Sequence, residues 1–85
     1  MEITKKEMAK ILYDDALDLL ESNDYKIAID KINKAIALNA DQNLLLACFS
    51  TLADIYAGLK DYKNARDNYL RVVEVCDLLI ALPNA

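Results

Sequence analysis

Apolar residues recur three and four positions apart along this chain, in four runs separated by short polar breaks. That period puts them on one face of an α-helix, so the pattern predicts four helices. The first run, about Lys5 to Glu21, has Ala9, Leu12, Ala16, Leu19 and Leu20 as its stripe. Ile11, Tyr13 and Leu17 widen the stripe past what one partner helix would cover. The run opens on Thr4-Lys5-Lys6-Glu7, which has the form of a capping box. There the threonine oxygen caps a free helix amide and Glu7 reaches back to the Thr4 amide. Ser22-Asn23-Asp24 ends the run, and Asp24 suits the N-cap of the next helix.

The second helix is expected over about Tyr25 to Leu38, with Ala28, Ile32, Ala35 and Ile36 on one face. Asp30 and Lys34 form an i,i+4 pair on its polar side, worth a few tenths of a kcal/mol. Asn39-Ala40-Asp41 breaks the pattern, and Asp41 caps a third helix over about Gln42 to Ala57. Leu45, Phe49, Leu52, Ala53 and Tyr56 make the third stripe, flanked by Leu44, Cys48 and Ile55. Gly58 is expected to supply the left-handed residue that terminates this helix. Asp61 caps a fourth helix from Tyr62 to about Leu82, which Pro83 cannot continue. Ala65, Tyr69, Val72, Cys76 and Leu79 form its expected inner stripe. Val75, Leu78 and Leu82 add a second stripe beside it.

The stretch Leu52 to Ala65 is a helix, a tight turn and a second helix. Asp15 to Ala28 repeats its layout, with Asn23-Asp24-Tyr25 matching Lys60-Asp61-Tyr62 and Ala28 matching Ala65. Two copies of one helical hairpin follow, offset by 37 residues. A four-helix bundle of other design would show the same periodicity.

Composition narrows the class. A chain of 85 residues, 55% apolar, with one Gly and one Pro, is a single small helical domain spanning 1–85. Such a chain buries about 60–65% of its unfolded surface, so its stability margin is thin. The net charge of −4 argues against a general nucleic-acid role and against docking on anionic lipid. No apolar run approaches the roughly 20 residues that span a bilayer, and MEITKKEMAK lacks the core and cleavage site of a secretory signal. Cys48 and Cys76 stand inside apolar helical patterns, as core residues in a reducing cytosol would, so a cytoplasmic setting is expected.

The hairpins resemble tetratricopeptide (TPR) repeats. In the second copy the signature positions read Phe49, Leu52, Ala53, Tyr56, Asp61-Tyr62, Ala65, Tyr69 and Val72. In the first they read Leu12, Asp15, Ala16, Leu19, Asp24-Tyr25, Ala28, Ile32 and Ala35, with Asp15 and Leu19 off pattern. The resemblance covers about Ala9 to Asp77, as repeat one at about 9–42 and repeat two at about 46–79. Ala40 and Asp77 stand where the family has its helix-ending Pro, and the offset of 37 exceeds the family's usual 34. It implies an all-α fold: two antiparallel helical hairpins, four helices in all, stacked as a short right-handed TPR-like α-solenoid.

The same resemblance implies a concave groove lined by Lys10, Tyr13, Leu17, Ser50, Asp54 and Ala57. TPR domains that clamp a C-terminal carboxylate place Lys and Asn at two such positions. Tyr13 and Leu17 stand there instead, which points to an apolar or amphipathic helical peptide. The alternative for both residues is packing against the third helix.

Catalytic equipment is sparse: no His, no Gly-rich phosphate loop, no Cys-x-x-Cys. Asp14, Asp18 and Glu21 share a helix face, but a single helix rarely supplies the six or more oxygens Ca²⁺ takes, so a solvated acidic face is expected. The chain is therefore expected to be no enzyme and to need no cofactor or metal.

Two repeats fall short of the three that such arrays generally need, and the fourth helix ends in an apolar cluster. Val75, Leu78, Leu79 and Leu82 form the expected partner face, for a second copy in a homo-oligomer or for a different protein in a hetero-complex. The leading expectation is a non-catalytic interaction module: an adaptor, chaperone or assembly scaffold. The alternative is a regulatory or sensor domain of a longer chain, with which the ending LIALPNA is compatible.

Overall fold

The computed structural model describes residues 2–39 and 41–82. It is all-helical: α1 (Lys5–Glu21), α2 (Tyr25–Leu38), α3 (Gln42–Gly58) and α4 (Tyr62–Ala81), with no strand among the described residues. Pro83 and Ala40, expected to mark helix stops, lie outside the described residues.

The helices form two antiparallel hairpins that stack. α1 packs along α2 and α3 along α4; α2 lies against α3, and α1 meets α3 at an edge. Among the described residues α4 touches neither α1 nor α2, as a closed four-helix bundle would require. The stack is accordingly flat, 40 × 36 × 17 Å. Its radius of gyration is 13.3 Å, against about 12 Å for a compact domain of this length.

Alanine sets the seams. Ala9, Ala16, Ala28 and Ala35 are buried between α1 and α2, and Ala53 and Ala65 between α3 and α4. Side chains this short let the backbones of a hairpin approach closely. Ile32, Cys48, Leu52 and Ile55 join the first set to make a core where the hairpins meet. Ion pairs such as Lys34–Asp30 at 3.1 Å and Lys10–Asp14 at 3.4 Å are exposed. Each is worth a few tenths of a kcal/mol, so packing holds the fold.

The helix ends explain why the two hairpins match. Both first helices close with the same pair of bonds: Asp24 N–H to Leu19 C=O and Asn23 N–H to Leu20 C=O in one, Asp61 to Tyr56 and Lys60 to Ala57 in the other. These make a Schellman turn, which puts one residue in the left-handed region. Asn23 (φ 61°) and Lys60 (φ 63°) occupy it. Gly58 does not, contrary to expectation: it still belongs to α3 and its φ is not positive. The turn places its left-handed residue two positions later.

Two caps also differ from expectation. Thr4 Oγ1 accepts from the Glu7 amide at 3.1 Å, but Glu7 Oε1 takes the Thr4 hydroxyl proton rather than reaching the Thr4 amide. Asp24 makes no side-chain cap, whereas Asp61 accepts from the Asn64 amide at 3.3 Å and the Asn64 side chain at 2.7 Å. The Asn64 amide group holds that carboxylate in place; Ile27, at the matching position in α2, has nothing to donate.

Candidate functional site

The six residues expected to line a concave groove stand on α1 and α3, in differing surroundings. Tyr13 is half-buried and its hydroxyl lies 2.8 Å from Thr51 Oγ1, so it fastens α1 to α3 and follows the packing alternative. Lys10 pairs with Asp14 on an exposed helix face, and Leu17 is exposed. Ser50 is half-buried in α3. Only Asp54 opens onto a pocket between the hairpins, one of about 480 Å³ lined with Leu20, Tyr25, Thr51, Ile55 and Leu59. Ala57 faces the other side of α3, into a second pocket of about 340 Å³ shared with α4.

A hydrogen bond links the two sides. Tyr69 of α4 donates its hydroxyl to Asp54 Oδ1 at 2.8 Å. That bond, with burial and the carboxylate's charge, raises the Tyr69 phenol above its ordinary value. The acid of the larger pocket is therefore already engaged.

The expected partner face is corrected at one position. Val75 is 5% exposed, buried in the chain's own interior, and offers nothing to a partner. Leu79 is half-buried; Leu78 and Leu82 are exposed. The cause is the rotation of α4. Ala65, Val72, Val75 and Leu79 turn inward, and Tyr69, expected inside, turns out to 44% exposure.

The rotation exposes a different stripe: Tyr62, Tyr69, Leu70, Val73 and Ile80. Tyr62, Arg66, Tyr69, Leu70 and Val73 line the second pocket with Ala57. Tyr62, Tyr69, Val73 and Ile80 stand seven, four and seven residues apart, and so share one side of the helix. Leu70 and Val73 carried no role in the sequence pattern, although their spacing was there to be read.

The internal repeat shows why this stripe is open. At the 37-residue offset, Arg66, Tyr69 and Val73 correspond to Ile29, Ile32 and Ile36 of α2. Those isoleucines belong to the core shared with α3, and Ile32 is fully buried. The face that α3 covers on the first hairpin is bare on the second.

The opposite end of the stack is built otherwise. Leu44, Cys48, Leu52 and Ile55 turn α3 toward the shared core, and their counterparts on α1 are Glu7, Ile11, Asp15 and Asp18. Three of the four are acids, so that end is already fit for water, and Asp15 pairs there with Lys31 at 3.6 Å.

Among the described residues no cluster of three His, Cys, Asp or Glu side chains could hold a metal ion. Both cysteines are free thiols. Burial of Cys48 pushes its thiol up to about 11. No helix among the described residues is long and apolar enough to cross a membrane. Comparison with family models, curated proteins and solved structures returns no match to the chain.

Proposed function

We propose that this chain is a non-catalytic protein–protein interaction module, a short right-handed TPR-like adaptor, chaperone or assembly scaffold that docks a helix on the outer face of α4. One observation carries the proposal. Tyr69 and Val73 are exposed on α4, while their counterparts on α2, Ile32 and Ile36, belong to the core between the hairpins. A face of that composition is stabilised by covering it, at roughly 25 cal/mol per Å² of apolar surface removed from water.

Support for a non-catalytic role comes from the larger pocket. Its one carboxylate, Asp54, accepts from Tyr69, and its hydroxyls, on Thr51 and Tyr25, are hydrogen-bonded to Tyr13 and Asn23. None is paired with a base. The setting we propose is the cytoplasm, where the free thiols of Cys48 and Cys76 stay reduced.

The test is capture from native lysate on immobilised chain, with Val73→Glu and Ile11→Glu as paired variants. Both positions are exposed, so both variants keep their helices. The proposal expects proteins retained by the wild type and by Ile11→Glu to be lost with Val73→Glu. Identical retention by all three proteins would remove the α4 face from consideration.

A further inference from the structure

Resting on the α4 docking reading, we propose a specific occupant: a second copy of the same chain, its α4 running antiparallel to the first about a two-fold axis. One row of residues along this exposed side of α4 is complementary to itself. Along it stand Tyr62, Arg66, Leu70, Val73, Asp77 and Ala81, all exposed. An axis midway between Leu70 and Val73 sets Leu70 of each copy on Val73 of the other. The same axis brings Arg66 opposite Asp77 and the large Tyr62 opposite the small Ala81. Both charge pairs are then of opposite sign, one at each side of the apolar centre. A parallel pairing in register would set arginine on arginine and aspartate on aspartate.

The two charges are available for this. Arg66 reaches only its chain neighbour Asp67, at 3.3 Å, and among the described residues Asp77 makes no ion pair. The pocket beside Ala57 and Tyr69, about 340 Å³, has room for side chains from the other copy. Helix α4 has 20 residues and is about 30 Å long, enough for the whole row to meet.

Polarity of the far end selects the symmetry. Stacking head to tail would set Tyr69 and Val73 on Glu7, Asp15 and Asp18 and strip water from three solvated carboxylates. It would also generate an open filament. Pairing like faces closes the assembly at two copies. A seam of one helix from each copy is small beside the roughly 800 Å² per partner of a standard stable interface, so this dimer dissociates on dilution.

Sedimentation velocity over a concentration series, with far-UV circular dichroism on every variant, tests it. The wild type is expected to pass from monomer to dimer. Val73→Glu is expected to stay monomeric with unchanged helicity. Arg66→Asp alone and Asp77→Arg alone each create two like-charge pairs and weaken the dimer about tenfold or more; the double exchange Arg66→Asp/Asp77→Arg restores it. A monomer at every concentration overturns the second copy as occupant. The docking reading then survives only if lysate capture is still lost with Val73→Glu. A dimer untouched by Val73→Glu but broken by Leu78→Glu/Leu82→Glu overturns the proposed face. Single exchanges that the double exchange fails to rescue overturn the antiparallel register.

Discussion

The two hairpins share their turn geometry, two seam alanines (Ala16 with Ala53, Ala28 with Ala65) and the bounds of their first helices, all at one 37-residue offset. They differ in what lies on their second helix. On α2, Ile29, Ile32 and Ile36 carry α3; on α4, Arg66, Tyr69 and Val73 carry nothing among the described residues. The substitutions suit those circumstances, since arginine and tyrosine tolerate water at one end while offering apolar surface along their length. A repeat that loses its neighbour and keeps most of its apolar character is thus left with an uncovered apolar face. At the other end of the stack, Asp15 and Asp18 stand where α3 has Leu52 and Ile55, and that end is more polar.

The largest expected effect separates matched positions on α2 and α4. Ile32→Ala removes a fully buried side chain from the core between the hairpins and is expected to cost about 3 kcal/mol of stability. Tyr69→Ala, at the equivalent place on the open face, is expected to cost under about 1 kcal/mol in the monomer. Urea denaturation at high dilution measures both. Equal losses would mean that the α4 face is packed in solution even in a single chain.

A second contrast uses pH. Cys48 is buried in the shared core, while its counterpart Ile11 lies on the solvated end. Burial raises the Cys48 thiol from 9.0 to about 11, so the folded state holds its proton longer than the unfolded chain does. Stability from this group is whole below pH 9 and falls as pH rises through about 11, by about 3 kcal/mol in all. Denaturation of the wild type and Cys48→Ala at each pH isolates the effect, which the alanine variant should lack. A wild type that loses no more than Cys48→Ala would place this thiol in contact with water.

The smallest effect concerns the ends of the matched first helices. Glu21 closes α1 where Gly58 closes α3. Gly58 has no positive φ, and a Cβ added there would meet nothing within 4 Å. Gly58→Ala is therefore expected to raise stability by about 0.5 kcal/mol, seen as a small rise in Tm. A loss would show that α3 needs the glycine to admit something into the adjoining pocket.

Much of the architecture was legible along the chain. Helix boundaries came from apolar periodicity and polar breaks. The hairpin repeat came from matched turn residues and matched alanines. Details of turn chemistry were less accessible, because Gly58 announces a left-handed residue that the Schellman turn assigns to Lys60. The candidate site was the least legible part. Helix α4 carries apolar residues on nearly every side: Val72 and Leu79, Val75, Leu78 and Leu82, and again Tyr69, Leu70 and Val73. A helix patterned this way has no single stripe to set its rotation.

Local sequence determined where the helices begin and end, and that they pair as two like hairpins, because capping, periodicity and alanine spacing act within a few residues of one another. Only the packed structure decided which side of α4 faces α3, that Val75 is spent on the interior, and that Tyr69, Leu70 and Val73 are left in water. Rotation about a helix axis is decided by the neighbour it meets, and α3 meets α4 on one side only.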